Sequence, residues 1–287
     1  MKKIPNEVFD YVSSIQRIVF FPQQVVLYTK EGIYAYIPVR SSPSVYSDLI
    51  EIGFSSFYPL INHDSDSFQL FYLYEEKSSD IISVLEDLYL KSVQSRSFSY
   101  VQTSQIYHRL LENNHRQTQF YSSIQDKIEE ALYPTRPFYY LLLEMSHIYQ
   151  LLFIGEFFLE KWYQSHPVEY REVFTLRKLD SYNFNGNKVL DFSSARKDYF
   201  VYELANYYRM YFNEENVIHD IKQFFQSFSV TEQEQLLFYA LIACVEEFDW
   251  DLFDDENNLL SYVLKTHSFL SEKYKEYQER KEEVLEE

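Results

Sequence analysis

The sequence predicts an α+β fold of two lobes, a small antiparallel sheet followed by a large, mostly helical region. Three observations predict it. The chain up to Tyr74 consists of short β-branched and aromatic runs separated by turn residues. Beyond that point apolar residues recur with helical spacing. A polar hairpin signal interrupts the helices at 173–192, centred on the turn dipeptide Asn185-Gly186.

Taken in order, the strand signals lie at 15–21, 25–28, 33–39 and 68–74, divided by Pro22, Gly32, Pro43 and a polar turn at 62–66. Between the third and fourth, 44–52 reads as a helix with Ser44 as N-cap and Gly53 as terminator. The stretch 75–80, EEKSSD, has no apolar member and reads as a hinge, which places the lobes at 1–78 and 79–287. The second lobe then contains the 173–192 hairpin. Its helices are expected at 83–92, 103–113, 122–132, 137–165, 203–213, 214–228, 231–248 and 259–286, with no strand past Ser92 outside the hairpin region. Thr231 and Glu234 form a capping box before Leu236-Leu237. The basic stretch from His108 to Arg116 reads as the wet side of a helix, and the charged end, 271–287, as a solvated helix with Glu276 and Arg280 at i,i+4 spacing.

The hairpin carries the chemistry. Val189-Leu190-Asp191-Phe192 is an apolar run that delivers a carboxylate, and Asn183 stands across the turn from it. The tight turn Asn185-Gly186-Asn187 sets Phe184 near-opposite Val189, so that Asn183 and Asp191 converge. An amide oxygen and a carboxylate at one hairpin mouth are ligands suited to Mg²⁺.

At these residues the chain resembles the aminoglycoside-phosphotransferase-like kinases, and within them the CotS-type spore coat branch. That family carries His-Gly-Asp-Leu, three residues, Asn, a hairpin, Ile-Asp-Phe or Ile-Asp-Trp, and then Asp-Leu-Ala opening a helix. In this sequence the Asn falls on Asn183, the metal-binding Asp on Asp191, the Asp-Leu-Ala on Glu203-Leu204-Ala205, and the His-Gly-Asp on Leu176-Arg177-Lys178. Tyr133-Pro134-Thr135-Arg136-Pro137 before a long aromatic helix is similar to the same layout. The resemblance implies a protein-kinase-like fold and a Mg-ATP site at Asn183 and Asp191, with Lys178 where the catalytic base belongs.

Lysine cannot serve as that base. Its ammonium donates and accepts nothing, and it sets a positive charge where Mg²⁺ should sit. Loss of a general base costs about 10²- to 10⁴-fold in rate. The second deficit is glycine. The chain has 4, Gly32, Gly53, Gly155 and Gly186, too far apart to form a loop that cradles phosphate. The position of the family's ATP-pairing lysine falls on Ile37, followed by Pro38, with Lys30 and Arg40 as the nearby cations.

Composition narrows the classes. With 287 residues and 46% hydrophobic content the chain can bury a large core. A formal charge of −18 disfavours nucleic acid and anionic membrane surfaces. No apolar run is long enough to span a bilayer, and no signal sequence opens the chain, so synthesis is expected in the cytoplasm without membrane insertion. Cys244 stands alone in an apolar run and reads as a buried structural thiol. Aromatics reach 19%, with 28 Tyr. Tyrosines anchor protein interfaces, and the spore-coat setting implied by the resemblance adds oxidative cross-linking; codon usage in an AT-rich genome gives the same enrichment.

Other chemistry is weak. The seven histidines form no metal-ligand spacing, and His219-Asp220 point apart on a helix. No Gly-x-Ser-x-Gly elbow is present. The acidic stretch 246–256 lacks EF-hand register and reads as a solvated loop. Three functions follow. The first is a non-catalytic, pseudokinase-like binding or structural component of the bacterial spore coat, with other coat proteins as partners and no cofactor. The second is an active small-molecule phosphotransferase that uses Mg-ATP with Asp180 as relocated base. The third is an unrelated helical interaction protein.

Overall fold

A computed structural model of the chain describes residues 4, 8–20, 25–37, 43–57, 69–73, 80–130, 136–192, 194–243 and 256–286. The expected hinge at 75–79, Pro22, Pro38, Arg40, the turn at 62–66, the segment 131–135, Cys244 and the acidic residues 246–255 lie outside the described residues. By packing, the chain divides into two compact units. The first joins 1–94 to 172–200, and the second joins 95–171 to 201–287. Among the described residues, 80–94 and the hairpin thus fall in the first unit together with the sheet.

In the first unit α1 (Val8–Tyr11) precedes a four-stranded antiparallel sheet in the order β1 (Ile15–Phe20), β2 (Val25–Thr29), β3 (Ile33–Ile37), β4 (Gln69–Leu73). Val25 and Leu27 of β2 bury against Val8 and Val12, with Ile15, Tyr34 and Tyr36 packed around them. The helix α2 (Pro43–Glu51) begins one residue earlier than expected. Its first residue is Pro43, whose fixed φ suits that position, so Ser44 lies inside the helix and is not its N-cap. The expected stop at Gly53 is present. Gly53 takes φ +75, its N–H donates to Ile50 O at 2.9 Å, and Phe54 N–H donates to Leu49 O at 3.0 Å. This pattern closes a helix through a left-handed residue and favours glycine there.

The helix α3 (Ile81–Ser92) is capped by Asp80, whose Oδ1 accepts from Ser83 N–H at 3.2 Å. Its last residue, Ser92, accepts from Phe174 N–H at 3.0 Å while donating to Leu88 O at 2.7 Å. That bond fixes strand β6 (Glu169–Thr175), whose second half pairs antiparallel with β9 (Arg196–Tyr199).

The second unit is mostly helical. Strand β5 (Gln94–Ser97) lies at its start, with Ser95 Oγ donating to Glu169 Oε2 at 3.1 Å and Phe98 N–H to Val168 O at 2.8 Å. Strands β5 and β9 correct the expectation that no strand follows Ser92 outside 173–192. Both are four residues long and polar, QSRS and RKDY, so no alternation of apolar residues announces them. The expected helices at 103–113 and 122–132 are one, α4 (Tyr100–Glu130). The polar run between them is continuous helix because Asn113, Asn114, Gln117 and Tyr121 are buried along one stripe. Conversely, the expected helix at 137–165 breaks at Glu144 into α5 (Arg136–Leu143) and α6 (Met145–Gln164).

Helix α6 is the axis of this unit, packing against α4, α9 (Glu232–Ala243) and α10 (Glu256–Glu286). Trp162, Phe158 and Leu159 are its buried residues nearest the C-terminus. Helices α7 (Phe200–Tyr211) and α8 (Val217–Ser227) complete the unit. The tail of α10 is not wholly solvated as expected, since Tyr274 and Tyr277 pack edge-on against Phe157 at 4.7 and 5.6 Å. Glu276 pairs with Lys273 at 2.7 Å. The exposed run His108, Arg109, His115 and Arg116 does form the wet side of α4.

Candidate functional site

Within the first unit, β6 leads directly into the segment singled out by sequence. Val173, Phe174, Thr175 and Leu176 are buried, and Thr175 Oγ1 donates to Arg196 O at 3.0 Å. Arg177 then adopts φ +62. This left-handed conformation suits glycine and costs other residues about 1 kcal/mol or more. It falls at the position that the family resemblance assigns to the Gly of His-Gly-Asp. Arg177 and Arg196 both donate to Oδ2 of Asp198, the latter at 3.1 Å.

After Arg177 the chain turns through Lys178, buried Leu179 and Asp180 into a single 3-10 turn, Ser181–Asn183. The hairpin of β7 (Phe184–Asn185) and β8 (Lys188–Val189) follows. Its register is the expected one, Phe184 opposite Val189 and Asn185 opposite Lys188, with Gly186 at φ +57 in the turn. The hairpin is fastened to the segment after α2. Val189 N–H donates to Ser56 O at 2.9 Å, and Phe57 bridges Val189 in parallel. Three rings, Tyr46, Phe54 and Phe57, pack around Phe192, the residue after Asp191, and meet it edge-on at 5.5 to 6.1 Å. Such edge-to-face pairs add to simple burial and fix Asp191 in place.

Asn183 and Asp191 converge as the hairpin predicts. Asn183 Oδ1 accepts from Asp191 N–H at 2.7 Å, and its Nδ2 donates to Asp191 O at 3.1 Å and to Lys178 O at 2.9 Å. Lys178 Nζ lies 2.5 Å from Asp191 Oδ2. With side chains 22% and 12% exposed, this ion pair is largely withdrawn from water.

This donor set does not fit a divalent cation as it stands. Mg²⁺ takes open carboxylate and carbonyl oxygens in an octahedral shell. Here the Asp191 carboxylate already holds an ammonium, and the Asn183 oxygen already accepts the Asp191 N–H. Asn183 acts as a clamp on backbone, a role the sequence alone did not reveal because an amide's two ends are equivalent until its neighbours are placed.

The other residues named from sequence are dispersed. Asp180 opens the 3-10 turn through its carbonyl, accepting from Asn183 N–H at 2.9 Å, and its carboxylate makes no capping bond. Ile37 closes β3, and Lys30 sits in the exposed turn after β2. Glu203 is buried in the first turn of α7. His219 and Asp220 are neighbours on α8. A pair that sequence spacing concealed is His147 and His267, whose rings meet at 5.0 Å from α6 and α10. Among the described residues, no group of three or more His, Cys, Asp or Glu side chains is arranged to hold a metal ion. No described helix is long and apolar enough to cross a membrane.

No protein-family model matches the sequence, and no curated protein matches it. Solved structures do. An aminoglycoside phosphotransferase from Alicyclobacillus acidocaldarius superposes with a TM-score of 0.63 at 11% identity, covering 97% of this chain and 98% of its own. An AMP-bound spectinomycin phosphotransferase does so with a TM-score of 0.54 at 12% identity, covering 91% and 96%. The chain therefore has the kinase-like fold of the aminoglycoside phosphotransferases over nearly its whole length. The reading of an unrelated helical protein is corrected by this likeness: helical periodicity dominates the sequence, while the order of sheet, helices and hairpin is that of the kinase-like fold.

Proposed function

We propose that this protein is a non-catalytic, pseudokinase-like member of the kinase-like fold that acts as a binding or structural component. Its partners are proteins, and it needs no nucleotide or metal. The observation that carries this reading is the Lys178 ammonium on Asp191 at 2.5 Å. At the position expected for a catalytic base stands a cation, and it neutralises the carboxylate expected to hold the metal. The scarcity of glycine and the clamp role of Asn183 point the same way. The CotS-type resemblance adds the bacterial spore coat as the place of assembly after cytoplasmic synthesis, with other coat proteins as the partners.

The test is thermal unfolding with and without Mg-ATP. A ligand at a hundredfold excess over its Kd raises stability by about 2.7 kcal/mol, a shift a melt resolves easily. The expected result is a Tm for wild type that ATP does not raise beyond the effect of Mg²⁺ alone. A nucleotide-dependent rise abolished by Asp191→Ala would overturn this reading in favour of the second, a phosphotransferase with Asp180 as base. That alternative is favoured by the Asp180 carboxylate, which is not engaged in capping the turn it opens. It further requires that Asp180→Ala abolish phosphate transfer while leaving the nucleotide shift in place.

A further inference from the structure

The second unit carries a surface where tyrosines and carboxylates meet. Helices α4 and α6 pack together, and their facing stripes form a seam of tyrosines and carboxylates. Tyr107 stacks on Tyr163 with ring centroids 4.3 Å apart and planes 18° from parallel. The Tyr163 hydroxyl donates to the Tyr100 hydroxyl at 3.2 Å. Glu156, Glu160 and Tyr163 follow one another on α6 at spacings of four and three, so they share one stripe. Both carboxylates act on Tyr107, whose phenol is pushed up by burial and then by Glu160 and Glu156. At the open end of the seam Tyr100 is 75% exposed.

We propose that this seam is a docking surface for a basic polypeptide segment, whose arginine or lysine side chains lie over the tyrosine faces and pair with Glu156 and Glu160. Charge decides the occupant. Residues 95–171 and 201–287 hold 28 of the chain's 44 Asp and Glu against 14 of its 26 Lys and Arg, a net of −14. Lys161 lies over Phe157 and donates to Gln164, Arg109 turns to Tyr202, and Arg116 turns to Asn113 and Glu112. His115 approaches Glu156 at the edge of an ion pair, 4.0 Å. Aromatic faces flanked by carboxylates attract guanidinium and ammonium groups by quadrupole and charge together. At the inner end Asn114 donates to Glu156 Oε2 at 3.3 Å and to Leu152 O at 3.2 Å, and its buried Oδ1 has no hydrogen-bond partner. The seam belongs to the second unit and the hairpin to the first, and they share no residue, so this inference stands whether or not the hairpin binds nucleotide.

The probe is a fluorescein-labelled arginine-glycine repeat peptide, titrated by anisotropy against the full chain at about 150 mM salt, where diffuse attraction is screened within about 8 Å. Glu156→Gln with Glu160→Gln should raise Kd about tenfold. Glu214→Gln with Glu215→Gln removes the same charge from exposed positions elsewhere in the unit and should change Kd less than about twofold. Tyr163→Leu keeps all charges and should raise Kd about threefold, while Tyr163→Phe keeps the ring and should behave as wild type. Circular dichroism and melting confirm that each variant is folded. Equal effects of the two glutamate pairs would reduce the attraction to net charge and overturn the proposal. Absence of peptide binding, binding to phosphatidylcholine vesicles in its place, or concentration-dependent self-association abolished by Tyr163→Leu would overturn it too, the last two assigning the seam to a membrane or a second copy.

Discussion

Lys178 is the residue on which the functional reading turns, and its place near Asp191 follows from the sequence, which sets its charge where the metal would sit. Once the Asn-Gly turn fixes the hairpin register, Asn183 and Asp191 must converge, and the cation nearest by motif position is Lys178; the pair is present at 2.5 Å. Its partial burial places the pair between the exposed and buried limits, so Lys178→Ala should destabilise the fold by about 1–3 kcal/mol in urea unfolding. Asp191→Asn with Lys178→Met, which removes both charges, should recover part of that loss; a double variant worse than Lys178→Ala would show that the pair is not what Lys178 contributes. Arg177 was not legible in this sense. The resemblance put a glycine there, yet nothing in a lone arginine signals φ +62. Arg177→Gly should be more stable than Arg177→Ala by about 1 kcal/mol, since both lose the Asp198 contacts and glycine alone relieves the left-handed strain. Equal stabilities would mean the turn imposes no such cost.

At the scale of elements, the signals that survived are those with a local physical cause. The Thr231–Glu234 capping box is reciprocal, with Thr231 N–H donating to Glu234 Oε2 at 2.9 Å and Glu234 N–H to Thr231 Oγ1 at 3.3 Å. What the sequence did not disclose is that Arg171 joins it from β6. Its Nε donates to Glu234 Oε1 at 2.8 Å, its Nη1 to Phe228 O at 2.7 Å, and its guanidinium lies 4.2 Å from the Phe228 ring. One side chain thus closes the end of α8 and opens α9, across 63 residues of sequence that no local window spans. Arg171→Ala should cost about 3–5 kcal/mol, because Glu234 is left buried and unpaired, and Arg171→Lys should recover little since a point charge cannot replace the fork. A loss below about 1 kcal/mol in denaturant titration would show the pair to be marginal. The contact of α6 with α10 adds a pH dependence. Burial first, and then His147, lower the pKa of His267 from 6.5, while Gln150 Oε1 and Ser271 Oγ lie 2.9 and 3.2 Å from its Nε2. His147 is itself held by Glu144 at 2.7 Å. A lowered folded pKa means that the unfolded chain takes up the proton first. The stability from neutral His267 is therefore complete above 6.5 and is lost as pH falls from there through the folded value. Melts between about pH 7.5 and 5 should show wild type losing more stability than His267→Gln, and parallel curves would remove His267 from the account.

For the whole molecule, the kinase-like order of elements persists at 11% identity because an order of sheet, helices and hairpin is set by hydrophobic patterning, which many sequences satisfy. Catalytic chemistry is set by single residues and is independent of that order, so the fold alone does not decide it. A charge of −18 complicates any test of what remains. Self-repulsion at that charge destabilises the compact state, and screening relieves it. Sodium chloride raised from about 10 to 150 mM should therefore increase Tm, unless specific pairs such as Lys178–Asp191 and Arg171–Glu234 outweigh the diffuse term. Those pairs are largely buried and little screened, so the increase should prevail. Magnesium chloride at low ionic strength should stabilise further by gathering loosely at the acidic surface, with no site required. The decisive control is Asp191→Ala, referenced to its own melt without Mg²⁺. If Mg²⁺ acts diffusely, the increment is the same in wild type and in Asp191→Ala. If the increment disappears with Asp191, the ammonium of Lys178 yields its place to the divalent ion, and the pair at the hairpin mouth is a metal site in waiting.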